Sequence, residues 1–132
     1  MIFITLGTQD KPFTRLLDAV QKEINKGNIK DKVIVQAGCT KYSSKDMEIF
    51  DLIPREDFAK KMDECDLLIT HGGVGSITGG LRLGKKVIAV PRLAKYGEHI
   101  NDHQKQIIDI FDKEGYIIGL NDLDKLSEAI KK

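Results

Sequence analysis

The residues with the most evident chemistry are Thr70-His71-Gly72-Gly73-Val74-Gly75-Ser76. They follow an apolar run and open a stretch of helical periodicity. Glycines at such a turn let the backbone bend sharply and bring N–H groups close to an anion, and a helix N-terminus adds partial positive charge. Ser76 contributes a hydroxyl, and His71 a ring N–H on a side chain that can be cationic. Together they suit a diphosphate. The same residues would also serve as a plain strand-to-helix turn with Ser76 as the cap. The spacing matches neither the dinucleotide GxGxxG fingerprint nor a P-loop, because no Gly-Lys-Ser/Thr follows. Residue types alone therefore specify an anion site without naming the anion.

A second polar group follows Pro91-Arg92 and reads Gly97-Glu98-His99-Ile100-Asn101-Asp102-His103-Gln104. Asp102 and Gln104 offer the acceptors and donors that vicinal sugar hydroxyls require, while Asn101 or Asp102 would equally cap a helix. The three histidines of the chain, His71, His99 and His103, all fall in these two segments. His99 and His103 stand four apart, a spacing that zinc sites use, but no adjacent acid completes an HExxH arrangement. No metal is expected. Cys39 has no sequence-evident base and reads as a packed or loop thiol rather than a nucleophile.

Positioning these groups requires a regular scaffold. Residues 2–6, 33–37, 67–70 and 87–90 are short apolar runs rich in β-formers, and residues 49–53 and 116–118 are weaker runs of the same kind. Their near-continuous apolarity suits strands covered on both faces. Between them lie helical patterns. Phe13, Leu16, Leu17, Val20 and Ile24 form one stripe between Pro12 and Gly27, and a shorter helix carries Phe58 and Met62 over about residues 57–64. Another helix begins near Gly75. A fourth starts near Asn101 or Asp102, with Gln104, Ile107, Ile108 and Phe111 facing the core, and a last one covers about residues 122–131. Repeated strand–helix–strand alternation predicts an open, doubly wound, mainly parallel α/β sheet in a single domain, residues 1–132. In such sheets ligands sit beyond the carboxyl ends of the strands. The loops after Leu6, Ala37, Ile53, Thr70 and Val90 are then the functional ones. The Gly79-Gly80 pair is unusual inside a helix, and it implies either a very close neighbour on that face or a short helix.

Composition narrows the partners. A formal net charge of +1, with Lys and Arg interspersed among Asp and Glu, leaves no basic footprint for nucleic acid. The cysteines Cys39 and Cys65 form no CxxC pair and read as reduced thiols of a cytoplasmic protein. The apolar start is too short for a signal peptide, and no run approaches the roughly 20 apolar residues of a spanning helix.

The start Ile2-Phe3-Ile4-Thr5-Leu6-Gly7-Thr8, the turn from His71 to Ser76 and the stretch Gly84-Lys85-Lys86-Val87-Ile88-Ala89-Val90-Pro91-Arg92 resemble the C-terminal domain of family 28 glycosyltransferases. The later segment from Gly97 to Gln104 looks most like small bacterial polysaccharide-biosynthesis proteins that work with a separate membrane-associated subunit. These are similar to the catalytic subunit of the two-subunit UDP-N-acetylglucosamine transferase of N-glycan assembly. The resemblance covers nearly the whole chain. It implies a Rossmann-like, donor-binding lobe of a GT-B glycosyltransferase. By that analogy His71, Gly72, Gly73, Gly75 and Ser76 hold the diphosphate, Asp102 and Gln104 hold the sugar, Gly7 and Thr8 line the cleft, and the backbone around Ile53 and Pro54 receives the base. Related sequences often carry a Glu three positions after the turn's Ser, where it bonds the ribose. Here that position is Gly79, and Glu98 is the candidate to replace it.

The resemblance further implies that a hexose passes, with inversion, from a UDP-sugar to a lipid-linked saccharide acceptor. No metal or other cofactor is implied. A membrane-associated, acceptor-binding glycosyltransferase subunit would supply the other half of the cleft and hold the chain at the inner face of the membrane. The general base such a reaction needs is not identified, with His99 and His103 as candidates. Two other readings stand beside this one. One is a non-catalytic nucleotide-sugar-binding or regulatory subunit of a glycosyltransferase complex. The other is a phosphate-ester hydrolase working through the histidines.

Overall fold

A computed structural model describes residues 1–6, 13–38, 40–71, 74–90, 103–115, 117–120 and 123–131. Six strands among them form one sheet: β1 (Ile2–Thr5), β2 (Val33–Gln36), β3 (Glu48–Phe50), β4 (Leu67–Thr70), β5 (Lys86–Ala89) and β6 (Ile118–Gly119). The order across the sheet is β3-β2-β1-β4-β5-β6, with every pairing parallel. The helices are α1 (Thr14–Asn25), α2 (Arg55–Glu64), α3 (Val74–Arg82), α4 (His103–Lys113) and α5 (Leu126–Lys131), the last entered through a 3₁₀ turn, Leu123–Lys125. The expected doubly wound sheet is what forms.

Alternation along the strands sorts the core into two layers. Ile2, Ile4, Val33, Val35, Leu67 and Ile69 face Leu16, Leu17 and Val20 of α1 and Leu126 and Ala129 of α5. Phe3, Ile34, Leu68, Val87 and Ala89 face Met62 of α2, Ile77 of α3 and Ile108 of α4. Phe58 of α2 meets Phe3 edge-to-face, with ring centroids 5.2 Å apart. Both faces of β1, β2 and β4 are covered, which explains their unbroken apolar sequences.

Local chemistry moves several boundaries away from the pattern. The third strand, expected over residues 49–53, ends at Phe50, because Asp51 and Ile53 are engaged elsewhere. Gly38 N–H donates to the Asp51 carbonyl (2.8 Å), and Ile53 N–H donates to Gln36 Oε1 (2.9 Å). Pro54 then caps α2, which starts at Arg55 rather than near Asp57, and Glu56 and Asp57 suit its positive end. In α1 the buried stripe takes in Glu23 as well as Leu16, Leu17 and Val20, while Ile24 is only partly covered. The Glu23 carboxylate accepts from Asn28 Nδ2 (2.8 Å). Gly27, at φ 79, lets Asn28 N–H turn back to the Glu23 carbonyl and close the helix.

The Gly79-Gly80 pair has a split explanation. A Cβ on Gly80 would lie 2.9 Å from both Leu68 Cδ2 and Val87 Cγ2, so only glycine lets α3 settle this closely onto β4 and β5. A Cβ on Gly79 would meet nothing within 4 Å. α3 continues through both, to Arg82.

Candidate functional site

From β1 the chain crosses through α1 to β2 on one side, and from β4 it crosses through α3 to β5 on the other. The chain leaves these two neighbouring strands for helices on opposite faces, and the crevice at the switch point between such strands is where open α/β sheets take their ligands. Thr5 and Thr70 close β1 and β4 as register partners, and both are buried on the α3 face. His71 follows directly and is 8% exposed.

Four polar contacts fix this corner. His71 N–H donates to the Thr5 carbonyl (3.1 Å), extending the ladder by one residue. His71 Nδ1 lies 3.3 Å from the same carbonyl oxygen and 3.3 Å from Thr70 Oγ1. Thr5 Oγ1 donates to Thr70 Oγ1 at 3.2 Å. A carbonyl can only accept, so this geometry suits a ring that carries its proton on Nδ1.

α3 begins at Val74, three residues past His71, and its N-terminus opens at the same end of the sheet. Gly75 and Ser76 are its second and third residues, so Ser76 does not occupy the cap position that the alternative reading of the turn requires. Ser76 is half-buried. The arrangement puts a helix dipole, a serine hydroxyl and an oriented imidazole at one end of the sheet, a suitable setting for a diphosphate.

Gly7, Thr8, Gly72 and Gly73 lie outside the described residues, as do Cys39, the segment 91–102 with Glu98, His99 and Asp102, and the core-facing side chain expected of Ile107. His103 and Gln104 open α4, and their side chains also lie outside what is described. Topology nevertheless brings the first turn of α4 to the carboxyl edge of the sheet, on the same face as α3. Two candidate groups thus share one edge.

On the other side of the crevice, Gln36 closes β2 and is buried, with Oε1 holding Ile53 N–H. Thr40, also buried, accepts from Phe13 N–H (2.9 Å) and so ties the loop after β2 to the start of α1. A cavity of about 300 Å³ adjoins the Ile53–Pro54 turn, lined by Phe50, Leu52, Ile53, Pro54, Asp57, Lys60 and Lys61. Cys65 sits before β4, at the opposite edge of the sheet, where Sγ–H donates to the Met62 carbonyl (3.2 Å) and burial pushes the thiol up. It takes no part in this site.

Thr5, Gln36 and Thr40 are given no role by the sequence reading, and Thr70 enters it only as the first residue of the turn motif. A signal for Thr5, Gln36 and Thr70 exists: three buried strands, Ile-Phe-Ile-Thr, Val-Ile-Val-Gln and Leu-Leu-Ile-Thr, each close on a polar residue. Threonine is an ordinary strand former, so the signal is easily passed over.

Comparison with known proteins bears on the whole chain. The UDP-N-acetylglucosamine transferase subunit ALG13 of Debaryomyces hansenii is 29% identical over 116 residues, covering 88% of this chain and 52% of that protein. The chain therefore spans about half the length of that relative. The NMR solution structure of ALG13 superposes with a TM-score of 0.63 at 23% identity, covering 98% of this chain and 83% of that one. The glycotransferase of kitacinnamycin gives a TM-score of 0.72 at 18% identity over 98% of this chain and 33% of that one, a likeness of fold. Among the described residues no helix is long and apolar enough to cross a membrane. The glycosyltransferase family 28 C-terminal domain matches residues 1–132 from end to end, and the protein belongs to that family.

Proposed function

We propose that this chain is the donor-binding, catalytic subunit of a two-component inverting glycosyltransferase in polysaccharide biosynthesis. It takes a UDP-sugar as donor, the sugar being a hexose or N-acetylhexosamine. The observation that carries the reading is the oriented His71 at the head of the α3 turn, placed at the β1/β4 crevice of a family 28 domain. The name of the ALG13 relative, a UDP-N-acetylglucosamine transferase subunit, supports both the donor class and the division of labour.

In the reaction, an acceptor hydroxyl of a lipid-linked saccharide attacks the anomeric carbon from the face opposite UDP. The new C–O bond forms as the bond to the β-phosphate oxygen breaks, and UDP leaves with the electron pair. The α3 N-terminus, Ser76 and cationic His71 hold the growing charge on the diphosphate without a metal ion. The hydroxyl proton goes to a general base on segment 91–104, with His99 and His103 as candidates, or on the partner. Gly7 and Thr8 line the cleft, Asp102 and Gln104 hold the sugar, Glu98 approaches the ribose, and the Ile53–Pro54 turn receives the base. The acceptor is bound by a membrane-associated partner subunit, which keeps this cytoplasmic chain at the inner face of the membrane.

The test is His71→Ala in the complex with that partner. Loss of one charge-assisted hydrogen bond to phosphate corresponds to roughly 10- to 100-fold in transfer rate. A variant complex that assembles normally and transfers at the wild-type rate would overturn the catalytic reading. A non-catalytic, nucleotide-sugar-binding subunit would then remain.

A further inference from the structure

We infer that Thr5 and Thr70 are positioning residues for His71, and that they select the protonation form the site uses. The inference rests on the donor-lobe reading for the ligand at Nε2, but the ring geometry itself does not. β1 and β4 are otherwise wholly apolar, and each ends on a buried threonine, 1% and 0% exposed. Valine has nearly the same shape and would pack at these places without hydroxyls to satisfy. A hydroxyl taken out of water is costly unless bonded, so the pair needs a reason.

The hydrogen bonds supply one. Thr5 Oγ1–H donates to Thr70 Oγ1 (3.2 Å), whose second lone pair can still accept from the ring. Thr70 Oγ1 and the Thr5 carbonyl then share the Nδ1 proton at 3.3 Å each. Two acceptors on one side of the imidazole favour the Nδ1–H form over the Nε2–H form that a histidine in water prefers. In the neutral ring Nε2 therefore carries a lone pair, and it donates to a phosphate oxygen only when the ring is doubly protonated. The threonine pair thereby sets which ring nitrogen is left as the acceptor in the neutral form.

The tautomer is read directly from long-range ¹H–¹⁵N correlation spectra of the His71 ring in the full chain, at a pH where the ring is neutral. Wild type is expected to show Nδ1–H, Thr70→Val a shift towards Nε2–H, and Thr70→Ser the wild-type pattern. Thr5→Val gives the same direction of change through loss of the orienting hydroxyl, and it stands in if Thr70→Val does not fold. In parallel, Thr70→Val weakens UDP binding about fivefold, the effect of one neutral hydrogen bond, while Thr70→Ser restores it. A wild-type ring in the Nε2–H form, or spectra unmoved by both valine variants, would overturn the inference. Absence of UDP binding by the wild-type chain both alone and in complex with its partner subunit, with the tautomer shifts as described, would instead strike the donor reading and leave the positioning role standing.

Discussion

At the scale of single residues, Gly79 separates a missing function from a missing constraint. The position faces open space, since an added Cβ would meet nothing within 4 Å, so no packing need explains the glycine. It stands three residues after Ser76, where sequences of the resembling family often place a ribose-binding Glu. Gly79→Glu is therefore expected to tighten UDP binding about 5- to 10-fold by adding one or two hydrogen bonds to an anion. Inorganic pyrophosphate, which has no ribose, is the control and should bind as to wild type. Equal gains for both ligands, or no gain for UDP, would remove the ribose assignment from this position. The passage from β4 into α3 was legible in the sequence because glycines, a histidine and a serine after an apolar run mark a strand that ends and a helix that begins. Thr5, Thr70 and Gln36 were not, because their types are common in strands and their roles depend on neighbours 17 to 66 positions away in sequence.

At the scale of elements, adjacent glycines of α3 should respond to alanine with opposite signs. Gly79→Ala adds helix propensity at an unobstructed place and should stabilise by about 0.5–1 kcal/mol. Gly80→Ala gains the same propensity but drives a methyl to 2.9 Å from Leu68 Cδ2 and Val87 Cγ2. Leu68 can swing its terminal methyl, whereas Val87 is buried in β5 and, being β-branched, has little freedom at χ1. Overpacking of this kind costs about 1–3 kcal/mol, so a net loss of roughly 1–2 kcal/mol is expected in urea unfolding. Two variants of equal sign would mean that α3 does not sit on the sheet as closely as described. The helix pattern in the sequence located α3 but could not say which glycine was needed, since both read as the same propensity penalty. The same limit explains the early end of β3. Apolar residues continued to Ile53, yet the ladder stopped where Gln36 and Gly38 claimed the backbone. Periodicity reports which faces are buried, and side-chain competition for backbone groups lies outside its reach.

At the scale of the whole molecule, the strand order matters more than any one residue. The winding of the chain across the parallel sheet reverses between β1 and β4, and His71, Ser76, the Ile53–Pro54 turn and the first turn of α4 all stand at its carboxyl edge. That convergence was foreseeable from alternation of strands and helices, whereas the register pairing Thr5 with Thr70 was not. If the crevice is the donor site, its affinity should be readable as stability of the isolated chain, because a ligand that binds only the folded state stabilises it. At 100 times its dissociation constant UDP should add about 2.7 kcal/mol, which for a domain of this size raises Tm by roughly 10 °C. The shift should be selective for uridine over other nucleotides and equal with Mg²⁺ or with EDTA, since helix dipole and imidazole take the place of the ion. A shift that needs Mg²⁺ would mean that the charge on the diphosphate is met by a metal after all. No shift with any nucleotide, in a chain that unfolds cooperatively, would mean that the crevice is not a finished site without its partner. The same panel run on the complex then decides whether the second subunit completes the donor pocket or the donor assignment falls.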